Sequence, residues 1–216
     1  MEPVAPLTLQ GQHVRLEPLG PQHLDGLQAV IDGPRDTFGL TPVPGTRPEL
    51  EAYVATALED QERTVALPFA TLDARTGRVL GTTRFGNIEF WPVPPGSTVP
   101  VRPPGVPYAV EIGWTWLAPD AQRTAINTEA KRLMLSHAFE RWEVYRVTLK
   151  TDARNVRSRT AIERLGCKLD GVVRAHSPAA DGGPRDAALY SMLASEWPDA
   201  RARLDARLAR GNRPAT

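Results

Sequence analysis

Apolar and polar positions change period repeatedly along this chain, and each change marks an element. Residues 13–19 alternate as a strand, and residues 21–31 follow with Leu24, Leu27 and Val30-Ile31 on one helical face. A Pro/Gly-rich stretch, 33–48, leads into a second helix, 49–63, where Leu50, Tyr53-Val54, Ala57 and Leu58 recur at helical spacing. Residues 64–73 and 79–89 read as strands joined by a hairpin connection through Gly77. From 91 to 107, seven of seventeen residues are proline, which fixes φ and removes backbone donors, so this insert is a semi-rigid arm without regular structure.

The second half repeats a strand-then-helix order. Residues 108–117 form a strand, and a helix over 128–142 shows one broad apolar face of Ile126, Ala130, Leu133-Met134, His137-Ala138 and Trp142. Residues 145–151 are the next strand, parallel to 108–117 because a helix connects them. A short helix over 155–165 stops at Gly166; a strand at 167–174 then pairs with 187–194 across Asp181-Gly182-Gly183. A last helix, 195–210, carries Leu204 and Leu208. No repeat or boundary interrupts this order, so residues 1–216 form one domain.

Composition narrows the partners. A formal net charge of +1 without a dense basic run argues against broad nucleic-acid binding. No apolar stretch approaches the ~20 residues that span a bilayer, and the N-terminus has neither a basic start nor an apolar core region. Cys167 is the single cysteine, which excludes an intrachain disulfide, and a cytoplasmic protein is expected. The four histidines are too scattered for a local metal motif, so no metal is expected.

Chemistry concentrates at Gln122-Arg123-Thr124-Ala125-Ile126-Asn127, between a strand and a helix N-terminus. The first N–H groups of a helix lack intrahelical partners and carry the positive end of its dipole, so a pyrophosphate docks there. The order resembles the GNAT superfamily of acyl-CoA N-acyltransferases, whose CoA loop reads Gln/Arg-x-x-Gly-x-Gly/Ala; here Ala125 and Asn127 replace the glycines. The string from Glu111 to Leu117, then Thr128-Glu129-Ala130-Lys131, Thr151-Asp152, Asn155-Val156-Arg157-Ser158 and Ala161 to Gly166 resembles the branch of Rim-type acetyltransferases of ribosomal-protein N-termini.

That resemblance implies an α/β fold with a mixed, mostly antiparallel sheet of about seven strands and a splayed parallel pair at the CoA site. It also implies direct acetyl transfer from acetyl-CoA to a primary amine. The favoured acceptor is a protein or peptide N-terminal α-amine; a small-molecule amine, such as an antibiotic or amino-acid derivative, and an idle acyl-CoA-binding module are the alternatives. Neither nucleic acid nor membrane is implied as a partner, and a homodimer stays open, with the Pro-rich arm and last helix as its surfaces.

Residue roles carry over by position. Trp116 and Leu117 lie at the CoA site, with the Leu117 N–H polarising the thioester carbonyl. Gln122, Arg123, Thr124, Ala125, Ile126, Asn127 and Thr128 hold the pyrophosphate, Thr124 capping the helix and Asn127 reaching back as in a capping box. Arg123 either contacts phosphate or is simply solvated. Ser158 is the general acid toward the CoA sulfur and Asn155 lies near the pantetheine arm, although Asn155 is also a good N-cap. Glu111 is either a general base or half of a structural ion pair, with Asp152 as the other candidate base. Arg174, His176 and Arg185 either receive an acidic acceptor or are solvated hairpin charges. His137 and Cys167 read as core residues.

Overall fold

The computed structural model describes residues 1–211. Eight strands form one sheet in the order β1-β2-β3-β4-β5-β6-β8-β7. They are β1 (Leu9–Gln10), β2 (Val14–Pro18), β3 (Leu67–Asp73), β4 (Val79–Glu89), β5 (Ala109–Leu117), β6 (Arg146–Asp152), β7 (Lys168–Pro178) and β8 (Pro184–Leu193). Every neighbouring pair is antiparallel except β5 and β6. Five helices flank the sheet: α1 (Leu24–Ile31), α2 (Arg47–Glu62), α3 (Ala125–Ser136), α4 (Val156–Leu165) and α5 (Trp197–Gly211).

Local chemistry moves several boundaries from where periodicity put them. Residues 21–31 divide into a 3₁₀ turn at Pro21–His23 and α1. The strand expected from residue 64 starts at Leu67, because Thr64 sits at φ +58 and the Val65 and Ala66 N–H groups close α2 onto Asp60 O. α3 begins at Ala125 rather than 128, since Thr124 caps it, and it relaxes into a π-helical turn at His137–Arg141 before Trp142. The two-residue β1, too short to show alternation, raises the strand count to eight.

Two anchorages position the site. Glu129 of α3 accepts the N–H groups of Gln12, His13 and Val14 at 2.9, 2.6 and 2.8 Å, seating the helix on the β1–β2 turn. The Pro-rich segment 91–107 is fastened by Arg102, which donates to Pro107 O (2.6 Å), Trp142 O (2.8 Å) and Glu143 O (2.6 Å). Its guanidinium lies 4.8 Å over Tyr108 and 5.0 Å over Tyr145, and Trp91 stacks on both rings. Tyr108 and Tyr145 immediately precede β5 and β6, so this arm fastens the parallel pair at its start and does not cover the cleft at the other end.

Candidate active site

β5 and β6 stay paired for only three residues, Ala109↔Arg146, Val110↔Val147 and Glu111↔Thr148, and then diverge. The divergence has a local cause. The β4–β5 register steps from Arg84↔Gly113 to Thr82↔Trp116, which leaves Trp114 and Thr115 opposite one β4 residue. Trp114 takes φ +49 at this bulge, a conformation a bulky residue adopts only under surrounding constraint. Gly86 supplies room for the ring, because a Cβ there would come within 2.4 Å of it. Arg84, itself buried, stacks 5.1 Å from both Trp114 and Tyr53 and pins the bulge from below.

Past the bulge, backbone direction is fixed by neighbours. The Ala118 N–H donates to Leu80 O at 2.7 Å on the β4 side. Trp116 O also faces β4, close enough to Gly81 that any Cβ there would sit 2.0 Å from it, so only glycine fits. Alternation along the strand then turns the intervening Leu117 N–H away from β4, into the gap.

The gap opens into a cleft of about 870 Å³ between β5, β6, α3, α4 and α5. Its floor is the loop before α3. Gln122 donates to Leu117 O and Thr37 Oγ1, both at 2.9 Å. The Arg157 guanidinium donates to Gln122 Oε1 at 3.3 Å and to Thr37 O, tying α4, this loop and the α1–α2 connection together. Thr124 Oγ1 donates to Ala121 O (2.7 Å) and accepts from the Ile126 N–H (3.2 Å) as the α3 N-cap. Asn127 does not close the expected capping box: its Oδ1 is buried without a hydrogen-bond partner among the described residues. The left-handed residue of the loop is Arg123, at φ +62, while Ala125 and Asn127 are already helical. Glycine's conformational freedom is therefore needed at neither position.

On the opposite wall Asn155 caps α4, its Oδ1 accepting the Ser158 N–H at 3.0 Å, so Ser158 faces the cleft from the first turn. Glu111 is held by Asn87 Nδ2 at 2.7 Å and Lys150 Nζ at 3.1 Å; the ion-pair reading of this carboxylate is what the geometry supports. Asp152 and Arg174 lie outside the cleft walls. Arg154 takes both Asp152 oxygens, at 2.7 and 3.0 Å, and holds that carboxyl below the usual carboxylate range. His176 and Arg185 do reach the cleft, Arg185 donating to Ser177 Oγ at 2.9 Å. His137 packs against Phe85 at a tilt and edge-on to Trp142, where burial lowers its pKa, and burial pushes the Cys167 thiol up to about 12.

These walls fit an acyl-CoA. The α3 N-terminus faces the cleft, Arg123, Arg157, Arg164 and Arg207 line it, and Glu111 is the one carboxylate among the described lining residues. Trp116 Nε1 and Asn127 Oδ1 are buried on its walls without hydrogen-bond partners among the described residues. Among the described residues, no group of three or more His, Cys, Asp or Glu side chains could hold a metal ion, and no helix is long and apolar enough to cross a membrane.

Lys131 and Arg157 are functional candidates that sequence reasoning passed over. Lys131 sits on the buried face of α3, one turn before Met134 and Leu135, and a lysine within that apolar stripe was the available signal. Arg157 gave none, since its partners lie 35 and 120 residues away in the chain.

A family profile described as an acetyltransferase (GNAT) domain matches residues 13–168. YdaF of Bacillus subtilis (strain 168), provisionally named a ribosomal N-acetyltransferase, is 34% identical over 87 residues, 40% of this chain and 46% of its own, so the match spans about half that relative. A GCN5-related N-acetyltransferase from Brucella melitensis has a TM-score of 0.83 at 28% identity, covering 99% of this chain and 90% of that one. Mycobacterium smegmatis RimJ, solved in complex with CoA-disulfide, has a TM-score of 0.72 at 19% identity, covering 90% of this chain and 88% of its own, a likeness of fold.

Proposed function

We propose, from the premise that this chain belongs to the GNAT acetyltransferase family, that it moves an acetyl group from acetyl-CoA directly to a protein or peptide N-terminal α-amine. The observation that carries this reading is the Leu117 N–H turned into a cleft that ends at the α3 N-terminus. A backbone donor fixed in that direction stabilises charge developing on a thioester oxygen and needs no reorganisation. Bound acetyl-CoA supplies the activated acyl group; the N–H groups of Ala125 and Asn127, which the Thr124 cap leaves over, hold its phosphates with Arg123, and Asn155 holds its pantetheine arm. Ser158 gives a proton to the departing sulfur, a modest contribution because a thiol pKa is near ~8.5. An α-amine, with pKa near ~8 against ~10.4 for lysine, suits a site where Glu111, the one lining carboxylate among the described residues, is already ion-paired.

Incubation with acetyl-CoA and libraries of peptide and metabolite amines, read by mass spectrometry, tests the acceptor. Acetylated peptide N-termini are expected; acetylation confined to free metabolites overturns the reading. Ser158→Ala is expected to slow turnover about tenfold while calorimetry finds CoA affinity within about twofold of wild type. The reading also carries a cytoplasmic setting, and light scattering decides between a monomer and the homodimer that the resemblance leaves open.

A further inference from the structure

A buried lysine has no place in the mechanism so far. Lys131 of α3 is 4% exposed and lines the cleft. Its Nζ lies 2.6 Å from Thr115 Oγ1 and 2.8 Å from Thr83 Oγ1, and these hydroxyls are 2.8 Å apart. Among the described residues no carboxylate lies within 4.0 Å of it.

Neighbouring ionisable groups are engaged elsewhere. On α3 itself, Glu129 is saturated by the β1–β2 turn, Arg132 pairs with Asp205 of α5 at 2.8 Å, and His137 packs against Phe85 and Trp142. On the sheet, Arg84 of β4 is stacked between two rings, while Glu111 of β5 and Lys150 of β6 hold each other. Without a counter-charge, burial lowers the Lys131 pKa to about 7, so near neutrality much of it is a free amine with a lone pair.

We propose that Lys131, acting through the Thr115 hydroxyl, takes up the proton that the acceptor amine loses during acyl transfer. This rests on the acetyltransferase reading above and deepens it. Thr115 stands at the bulge two residues before Leu117, roughly 6–7 Å along the strand from the N–H aimed at the thioester oxygen. That is within reach of the attacking nitrogen directly or through one water. In the step, the acceptor nitrogen bonds to the acyl carbon, the C–S bond breaks, and its electron pair leaves on sulfur, which takes the Ser158 hydroxyl proton while Ser158 Oγ regains one from solvent. The nitrogen's proton passes to Thr115 Oγ1 as the Thr115 hydroxyl proton passes to Lys131 Nζ; the resulting ammonium then discharges to solvent. Once bonded to the acyl carbon the nitrogen is more acidic than a free ammonium, so an amine that titrates near neutrality is basic enough to receive its proton. Glu111, already shared by Asn87 and Lys150, is not needed as the base.

The chain has three lysines, Lys131, Lys150 and Lys168, so ¹⁵N-lysine NMR resolves each Nζ without any turnover. One lysine titrating near neutrality, and disappearing in Lys131→Met, is expected; three ordinary high titrations overturn the proposal whether or not an acceptor has been found. With an acetylated acceptor in hand, the pH profile of kcat/KM should show, below the limb that the acceptor's own amine sets near ~8, a second acid limb near neutrality. Lys131→Met and Thr115→Val should each lose that limb and about a hundredfold in kcat, with CoA affinity within about twofold. Lys131→Arg, charged at every pH, should not rescue either. A second limb that persists in Lys131→Met, or full activity in Lys131→Arg, overturns the assignment. Absence of acetylation on every amine, with the NMR titration as expected, sinks the acetyltransferase reading and leaves the free-amine state of Lys131 standing.

Discussion

Lys131 makes the fold less stable wherever it is charged. Below about pH 7 both folded and unfolded chains carry its proton, and the folded one bears the cost of burying it. Between that value and ~10.4 only the unfolded chain binds the proton, so stability rises with pH across that window. Lys131→Met should remove this slope and raise unfolding stability at pH 6 by about 1–4 kcal/mol, with the gain shrinking toward pH 10 in urea titrations. A variant that unfolds more easily at pH 6 would show that the two threonine bonds outweigh the buried charge. Asn127 is the converse case, a residue expected to work as a cap that makes no capping bond through Oδ1. Asn127→Gly should therefore leave CoA affinity within about twofold by calorimetry, and a large loss would mean that the amide itself meets phosphate. Leu117, Gln122, Thr124, Asn155 and Ser158, which the structure places on the cleft walls, could be picked out from sequence because each belongs to a short contiguous motif. Their hydrogen-bond partners could not, since Thr37 and Arg157 meet Gln122 only after the chain has folded back.

Among the elements, β5 does two opposite things along its length. Its start is clamped to β6 by the aromatic stack and Arg102; its end is pushed away by the bulge at Trp114. Alternation in residues 108–117 revealed the strand but not the bulge, because an inserted residue shows only against the partner strand's register. The helices were easier, with Thr124, Asn155 and Gly166 marking their ends, whereas the π-helical turn after α3 leaves no mark in sequence. Arg102→Ala should leave three carbonyls without their charged donor and cost about 2 kcal/mol in chemical unfolding. It should also weaken CoA binding measurably by calorimetry, although Arg102 touches no part of the cleft. Unchanged affinity would mean that the bulge alone sets the opening.

Across the whole molecule, the eight-stranded sheet of the described residues splays between β5 and β6, and the cleft opens at that splay. The strand alternation and the single helical crossover made the parallel pair legible; the width of the gap depends on contacts between residues far apart in sequence. One consequence concerns isotope exchange with solvent. Ala118 gives its amide proton to Leu80 O, and strand alternation turns the adjacent Leu117 amide proton toward the cleft that this residue lines. Deuterium should therefore replace the Leu117 proton orders of magnitude faster than that of Ala118, and addition of acetyl-CoA should slow Leu117 selectively. Equal protection of the two amides in the free protein would place the Leu117 N–H inside the sheet. One pair of neighbouring amides thus acts as a built-in occupancy gauge for the thioester site, legible by NMR before any acceptor is known.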